Sequence, residues 1–180
     1  LETGNAFDRI YALYPYNETT TITDEGEISL TLPAVQSYAE NSFGRGANTM
    51  IAVTENLEDT FLAFKNACGY LKLKLYNADG TTIKSIEVKG NNGEPLAGDA
   101  TLSINFGETP VLTLAESATD TIRLDCGDGV QLNESEVTDF YIALPPVLFE
   151  KGFNVTVADV ADHEYTMTAD QNNAVLRSSI

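Results

Sequence analysis

The sequence has no tryptophan, one histidine, two cysteines and two methionines in 180 residues. Each scarcity removes a class of chemistry. A nucleophile relay needs a base beside a hydroxyl or thiol. The single candidate, His163, stands in VADHEYTMT, where the reading is a solvated hairpin turn. A zinc centre needs three or four His, Cys or carboxylate ligands, and two cysteines with one histidine do not supply them. Basic residues are also few: 10 Lys and Arg face 27 Asp and Glu, for a net charge of −17 and a sequence pI near 4.1. Such a surface repels phosphate backbones and anionic lipid, so nucleic acid is excluded as a partner. No apolar run approaches the roughly 18–20 residues of a membrane-spanning helix.

Other motifs are absent as well. Gly90–Gly98 (GNNGEPLAG) lacks the Lys-Ser/Thr ending and following helix of a phosphate loop. The acid pairs Asp125/Asp128 and Glu134/Glu136 lack the spacing of a calcium loop and read as solvated acidic faces. With 27 acids in the chain, a glycosidase-type carboxylate pair is equally unspecific. The expectation is therefore no catalytic residue, no metal and no cofactor. No signal peptide or lipidation motif opens the chain, which starts at Leu1-Glu2-Thr3; a processed protein and a truncated one would both read this way.

What is present is alternation. Hydrophobic residues make up 43% of the chain, enough for a packed core. In GYLKLKLY, Leu71, Leu73 and Leu75 fall on one parity, with Tyr70, Lys72, Lys74 and Tyr76 on the other. That pattern predicts a strand with one face in a core. The same period of two marks 9–16, 27–32, 49–54, 60–66, 69–76, 82–89 and 100–106. It recurs at 111–115, 121–126, 139–144, 152–158, 165–169 and 173–180. These stretches are rich in Thr, Val, Ile, Tyr and Phe. Turn signals separate them: Asn77–Gly80, which suits a tight hairpin, then Gly90–Gly93, Gly107–Pro110 and Cys126–Gly129. After Pro33, AVQSYAEN (34–41) is predicted as one or two helical turns. Pro145-Pro146 ends a strand, and 147–151 crosses to the next. The prediction is an all-β, antiparallel β-sandwich.

Residues 1–57 form an N-terminal β segment and 58–180 a C-terminal sandwich. About three strands are too few to enclose a core, so the early strands either pack on the later domain or are the remainder of an incomplete first sandwich domain. Cys126 shares the parity of Ile122 and Leu124 and should point inward. Cys68 shares that of Lys72 and should point outward unless a bulge near Gly69 intervenes. The reading favours two buried free thiols over a disulfide, and neither is predicted to be reactive.

Several segments fall in a recognisable order. They are IYALYPYN (10–17), Leu32-Pro33 followed by Gln36-Ser37-Tyr38, NTMIAV (48–53), FKNACGYLKLKL and SIEVKG. Pro95–Gly98, LDCGDGV, FYIALPPVLFEKGFNVTVAD and VLRSSI complete the series. In this the chain resembles the fimbrillin-like surface proteins of the Bacteroidetes. The resemblance implies transthyretin-like β-sandwiches in a non-enzymatic pilus subunit or adhesin. It implies export, commonly as a lipoprotein, to the cell surface as an outer-membrane-attached or fimbrial protein. Implied partners are neighbouring pilus subunits or other surface proteins, and a host protein or glycan.

A sandwich lacking one strand exposes a groove and an unpaired edge, which a neighbour's segment fills by β-augmentation. The candidate exchange strand is 173–180, presenting Ala174, Leu176, Ser178 and Ile180 on one parity. Full burial of Leu176 and Ile180 would contribute about 3–6 kcal/mol together. Alternatively this strand completes its own sheet. Tyr11, Tyr14 and Tyr16 form a candidate aromatic contact surface for sugar rings, or else they fill a core. On that basis a carbohydrate-binding module is the alternative function.

Overall fold

The computed structural model describes residues 8–180, and none of them is helical. In chain order the strands are β1 (Tyr11–Tyr14), β2 (Thr21–Ile22), β3 (Ile28–Leu32), β4 (Val35–Ala39), β5 (Ser42–Phe43) and β6 (Met50–Val53). Then follow β7 (Lys65–Asn66), β8 (Gly69–Leu75), β9 (Thr82–Gly90), β10 (Gly98–Ser103), β11 (Val111–Leu114) and β12 (Thr121–Gln131). The last five are β13 (Thr138–Leu144), β14 (Val147–Phe149), β15 (Phe153–Asp159), β16 (Glu164–Ala169) and β17 (Asn173–Val175).

They organise around two hydrophobic cores. The first lies between a six-stranded sheet, β16-β15-β9-β12-β4-β5, and the pairs β13-β8 and β14-β17. Strict alternation on β15 sends Phe153, Val155 and Val157 inward, beside Ile86 and Val88 of β9 and Ile122 and Leu124 of β12. Phe140, Ile142 and Leu144 of β13 meet them from the other side. The second core lies between the four-stranded β11-β10-β3-β2 and the three-stranded β1-β6-β7. Here Ile28, Leu30 and Leu32 of β3 alternate into the interior with Ser29 and Thr31 outside. Strands early in the chain pair directly with later ones: β3 with β10, and β4 with β12.

Several local expectations are corrected. The segment after Pro33 is strand, not helix. β4 runs parallel to β12, with Val35 opposite Arg123 and Ser37 opposite Asp125, so the sheet is mixed. A five-residue segment gains more from a ladder than from an isolated helical turn. Asn77–Gly80 is a turn, with Gly80 at φ 64°. It does not close a hairpin, because β8 pairs with β13 while β9 pairs with β12 and β15.

Cys126–Gly129 is not a turn between strands. It is a bulge inside β12, where the register to β9 slips between Asp125 and Val130. Gly127 and Gly129 take φ of 59° and 108° there, a conformation that costs glycine least. Of 60–66, only Lys65–Asn66 pairs; of 173–180, only Asn173–Val175; and 147–149 forms a short strand of its own.

The expected outward Cys68 is also corrected. It keeps the parity of Tyr70 and Lys72, but at this end of β8 that face lies on the second core, where Cys68 is buried beside Ala143 and Tyr70. Cys126 is buried in the first core, and both thiols are free.

Candidate functional site: an open sheet edge

Among the described residues, β8 is a sheet edge that lies directly beside the first core. Its inner side chains, Leu71, Leu73 and Leu75, pack against the first core as expected but remain only half-buried. The reason is topological, since β8 pairs with β13 on one side and ends its sheet on the other.

Hydrogen bonds fix which backbone groups face that open side. The Ala143 N–H of β13 donates to Gln36 Oε1 (2.9 Å), and its C=O accepts from Gln36 Nε2 (2.7 Å). Ala143 therefore points away from its cross-strand partner Tyr70. Tyr70 in turn donates its N–H outward to the Ser179 carbonyl (2.8 Å), and the Cys68 carbonyl accepts from Ser178 N–H (3.0 Å). In an antiparallel strand alternate residues turn both backbone groups to the same side. Lys72 and Lys74 therefore direct their N–H and C=O groups to the open edge. There they have no strand partner among the described residues.

The opposite layer is uncovered in the same place. Tyr165 and Met167 of β16 lie opposite Val157 and Val155 of β15, on the face that is buried in β15. Yet Tyr165 is 59% and Met167 48% exposed, because the facing sheet stops at β8. Two clefts open along this gap. One, of about 180 Å³, is lined by Leu75, Val157, Tyr165 and Met167 among others; the other, of about 340 Å³, by Leu71, Phe153, Val175 and Leu176 among others. The outer face of β8 is polar and well held. Lys72 Nζ lies 2.6 Å from Asp139 Oδ2 and 5.0 Å from the centre of the Tyr141 ring. Hydrogen bonds to Asp139 and then Tyr141 raise its ammonium above the ordinary range.

The C-terminal segment closes one end of the gap. Asn173–Val175 pairs with β14, Arg177 Nη1 donates to the Asn66 carbonyl (3.2 Å), and Ser178 and Ser179 bond the start of β8 as above. The chain crosses so close to Gly69 that a Cβ there would run into the Leu176 carbonyl and the Val175 side chain. In this arrangement Val175 packs on the first core. Ala174, Leu176 and Ile180 are exposed, so the burial energy expected of Leu176 and Ile180 is not realised within the monomer. Ser178 is exposed with φ 58°.

The three tyrosines do not share one face. Tyr11 lies over Gly26 and packs on the second core. Tyr14, three residues along the same strand, points to the opposite side and is exposed, as is Tyr16 beyond the cis Tyr14-Pro15 bond. His163 sits in the β15–β16 hairpin, its Nδ1 2.9 Å from Asp159 Oδ2. Asp159 Oδ1 also accepts from the Ala161 and His163 N–H groups. Hydrogen bonds from the His163 backbone, then its ring, hold the Asp159 carboxyl below its ordinary value. Among the described residues no three His, Cys, Asp or Glu side chains group as a metal site. No helix there is long and apolar enough to cross a membrane.

Sequence reasoning supplied the half-exposed leucines but missed Tyr165, Met167 and Gln36. The first two alternate like any sandwich strand, and only the pairing order shows that nothing covers them.

No protein-family model matches the chain, and no curated protein matches it. Solved structures do. A proposed cell adhesion protein from Bacteroides uniformis superposes with a TM-score of 0.56 at 14% identity, over 94% of this chain and 63% of that one. Another, from Bacteroides ovatus, gives 0.57 at 16% identity, over 93% of this chain and 58% of that one. This chain thus spans less than two thirds of either neighbour and shares their fold.

Proposed function

We propose that this is a non-enzymatic cell-surface protein of fimbrillin type, a structural pilus subunit or adhesin that associates by β-strand addition. The observation that carries the reading is the open β8 edge: outward Lys72 and Lys74 backbone groups, half-buried leucines and the uncovered Tyr165 and Met167. An added strand would pair with that backbone and bury those side chains together. The fold likeness to proposed cell adhesion proteins of Bacteroides supports an exported, surface-exposed role. The net charge of −17 keeps such surfaces soluble. The same reading takes the sandwiches as transthyretin-like, with 1–57 as the N-terminal segment and 58–180 as the C-terminal domain. Its partners are neighbouring subunits or other surface proteins.

The test is Lys74→Pro. Proline removes an outward N–H and places its ring in the path of an added strand, while the ladder to β13 uses the neighbouring residues. Light scattering over rising concentration should show oligomers for the wild type and a folded monomer for the variant. A wild type that stays monomeric, or a variant that assembles equally well, overturns the reading.

A second reading, a carbohydrate-binding surface, is favoured by a cleft of about 550 Å³ on the outer face of β11-β10-β3-β2. Ser29, Thr101 and Thr113 align across three strands there. Beside them Thr31 Oγ1 donates to Asp99 Oδ1 (2.9 Å). Glycan-array binding lost on Asp99→Ala would support it, and a blank array would remove it.

A further inference from the structure

We infer that the acceptor edge of β8 receives the extended segment Asp59–Phe64 of a second copy of this chain. The inference rests on the reading of β8 as a strand acceptor and names the strand that fills it.

The segment is strand-like in sequence but left unpaired. Between β6 and β7, residues 59–64 (DTFLAF) run without turn or bend. Among the described residues their backbone makes no ladder bond; its N–H groups bond only nearby side chains, Phe61 to Asp59 Oδ1 (3.0 Å) and Asp59 to Asn56 Oδ1 (3.0 Å). Asn56 Oδ1 organises the stem, accepting from the N–H groups of Glu58 and Asp59. The side chains are apolar and face water: Phe61 is 75%, Leu62 37% and Phe64 46% exposed. The C-terminal segment, by contrast, is already bonded to β14 and to the start of β8.

Length, charge and pattern agree. Six extended residues span about 20 Å, enough to cover the free edge from Lys72 to Leu75. Leu62 and Phe64 share one parity about 7 Å apart, the spacing of Leu73 and Leu75, and suit the apolar cleft beside Leu75. Glu55, Glu58 and Asp59 in the stem are opposite in sign to Lys74, the exposed lysine of β8. A symmetric contact between two such loops would oppose acids to acids. Joining two different patches of the same chain is a heterologous contact, which repeats into an open array instead of closing as a dimer.

Two synthetic peptides, 58–65 and 173–180, titrated onto the labelled full chain and followed by amide shifts, test this. The 58–65 peptide should shift the Lys72 and Lys74 amides, and its Leu62→Ser, Phe64→Ser form should bind at least tenfold more weakly. If 173–180 shifts those amides and 58–65 does not, the acceptor reading stands and this inference is overturned. If neither does, both fall; shifts confined to other residues also overturn the inference. In the full chain the same double substitution alters only exposed side chains. It should abolish self-association with the amide spectrum otherwise kept, and retained association overturns the inference.

Discussion

Gln36→Leu should be among the most damaging single substitutions in the first core. Gln36 is 4% exposed, and its amide joins two layers by bonding both backbone groups of Ala143. Leucine keeps the approximate volume but leaves a buried N–H and a buried C=O without partners. Each orphaned group costs about 1–3 kcal/mol, and leucine's own apolar burial offsets about 1 kcal/mol, for a net loss of about 1–5 kcal/mol. A loss near 3 kcal/mol lowers the midpoint of a chain this long by roughly 6–12 °C. Urea denaturation with thermal melts measures this, with exposed Ser37→Ala as a control expected within about 0.5 kcal/mol of wild type. Gln36→Glu is the sharper probe, because a carboxylate accepts from the Ala143 N–H but cannot donate to its carbonyl. If Gln36→Glu at neutral pH matches wild type, or Gln36→Leu falls within the control's range, the two-bond bridge is wrong.

Three other outcomes follow from the same contacts. Gly69→Val should detach the C-terminal segment while the core stays folded, so that proteolysis removes 173–180 rapidly; an unchanged tail would show that the crossing is not tight. Burial pushes the Cys68 and Cys126 thiols up to about 11. Neither should react with a disulfide reagent near pH 8 until denaturant is added, and rapid native labelling contradicts that. Asp159 has a folded pKa below its ordinary 3.8, so the order it gives the β15–β16 hairpin is present above that value. It is lost as pH falls through the lower folded value. The Asp159 side-chain carboxyl carbon shift should therefore titrate below about pH 4, and a midpoint above that refutes the assignment.

Much of the fold was legible because alternation is local. Ile28, Leu30 and Leu32, and Phe153, Val155 and Val157, each show in a few residues which side is wet. Pairing is not local. Nothing near Asn77–Gly80 says that β8 and β9 belong to different layers, and nothing in VQSYA announces a parallel partner in β12. Gln36 reads as a polar residue on a short amphipathic turn until Ala143 lies beside it. Cys68 was misplaced because the face it shares with Tyr70 is covered by a second core, and LDCGDGV was misread because a bulge and a turn use the same glycines. The site was half-visible for the same reason. Three leucines mark an inner face, but only topology shows that no strand lies beyond it.

On the proposed function, β8 presents a free edge that a neighbouring copy fills. Hydrogen exchange at the Lys72 and Lys74 amides, compared with the Leu71 and Leu73 amides directed to β13, measures it most directly. Exchange should be fast at Lys72 and Lys74 in the monomer and slow at Leu71 and Leu73, with all four protected once the protein associates. Protection of Lys72 and Lys74 in the monomer, or their continued fast exchange in the assembled protein, would contradict it.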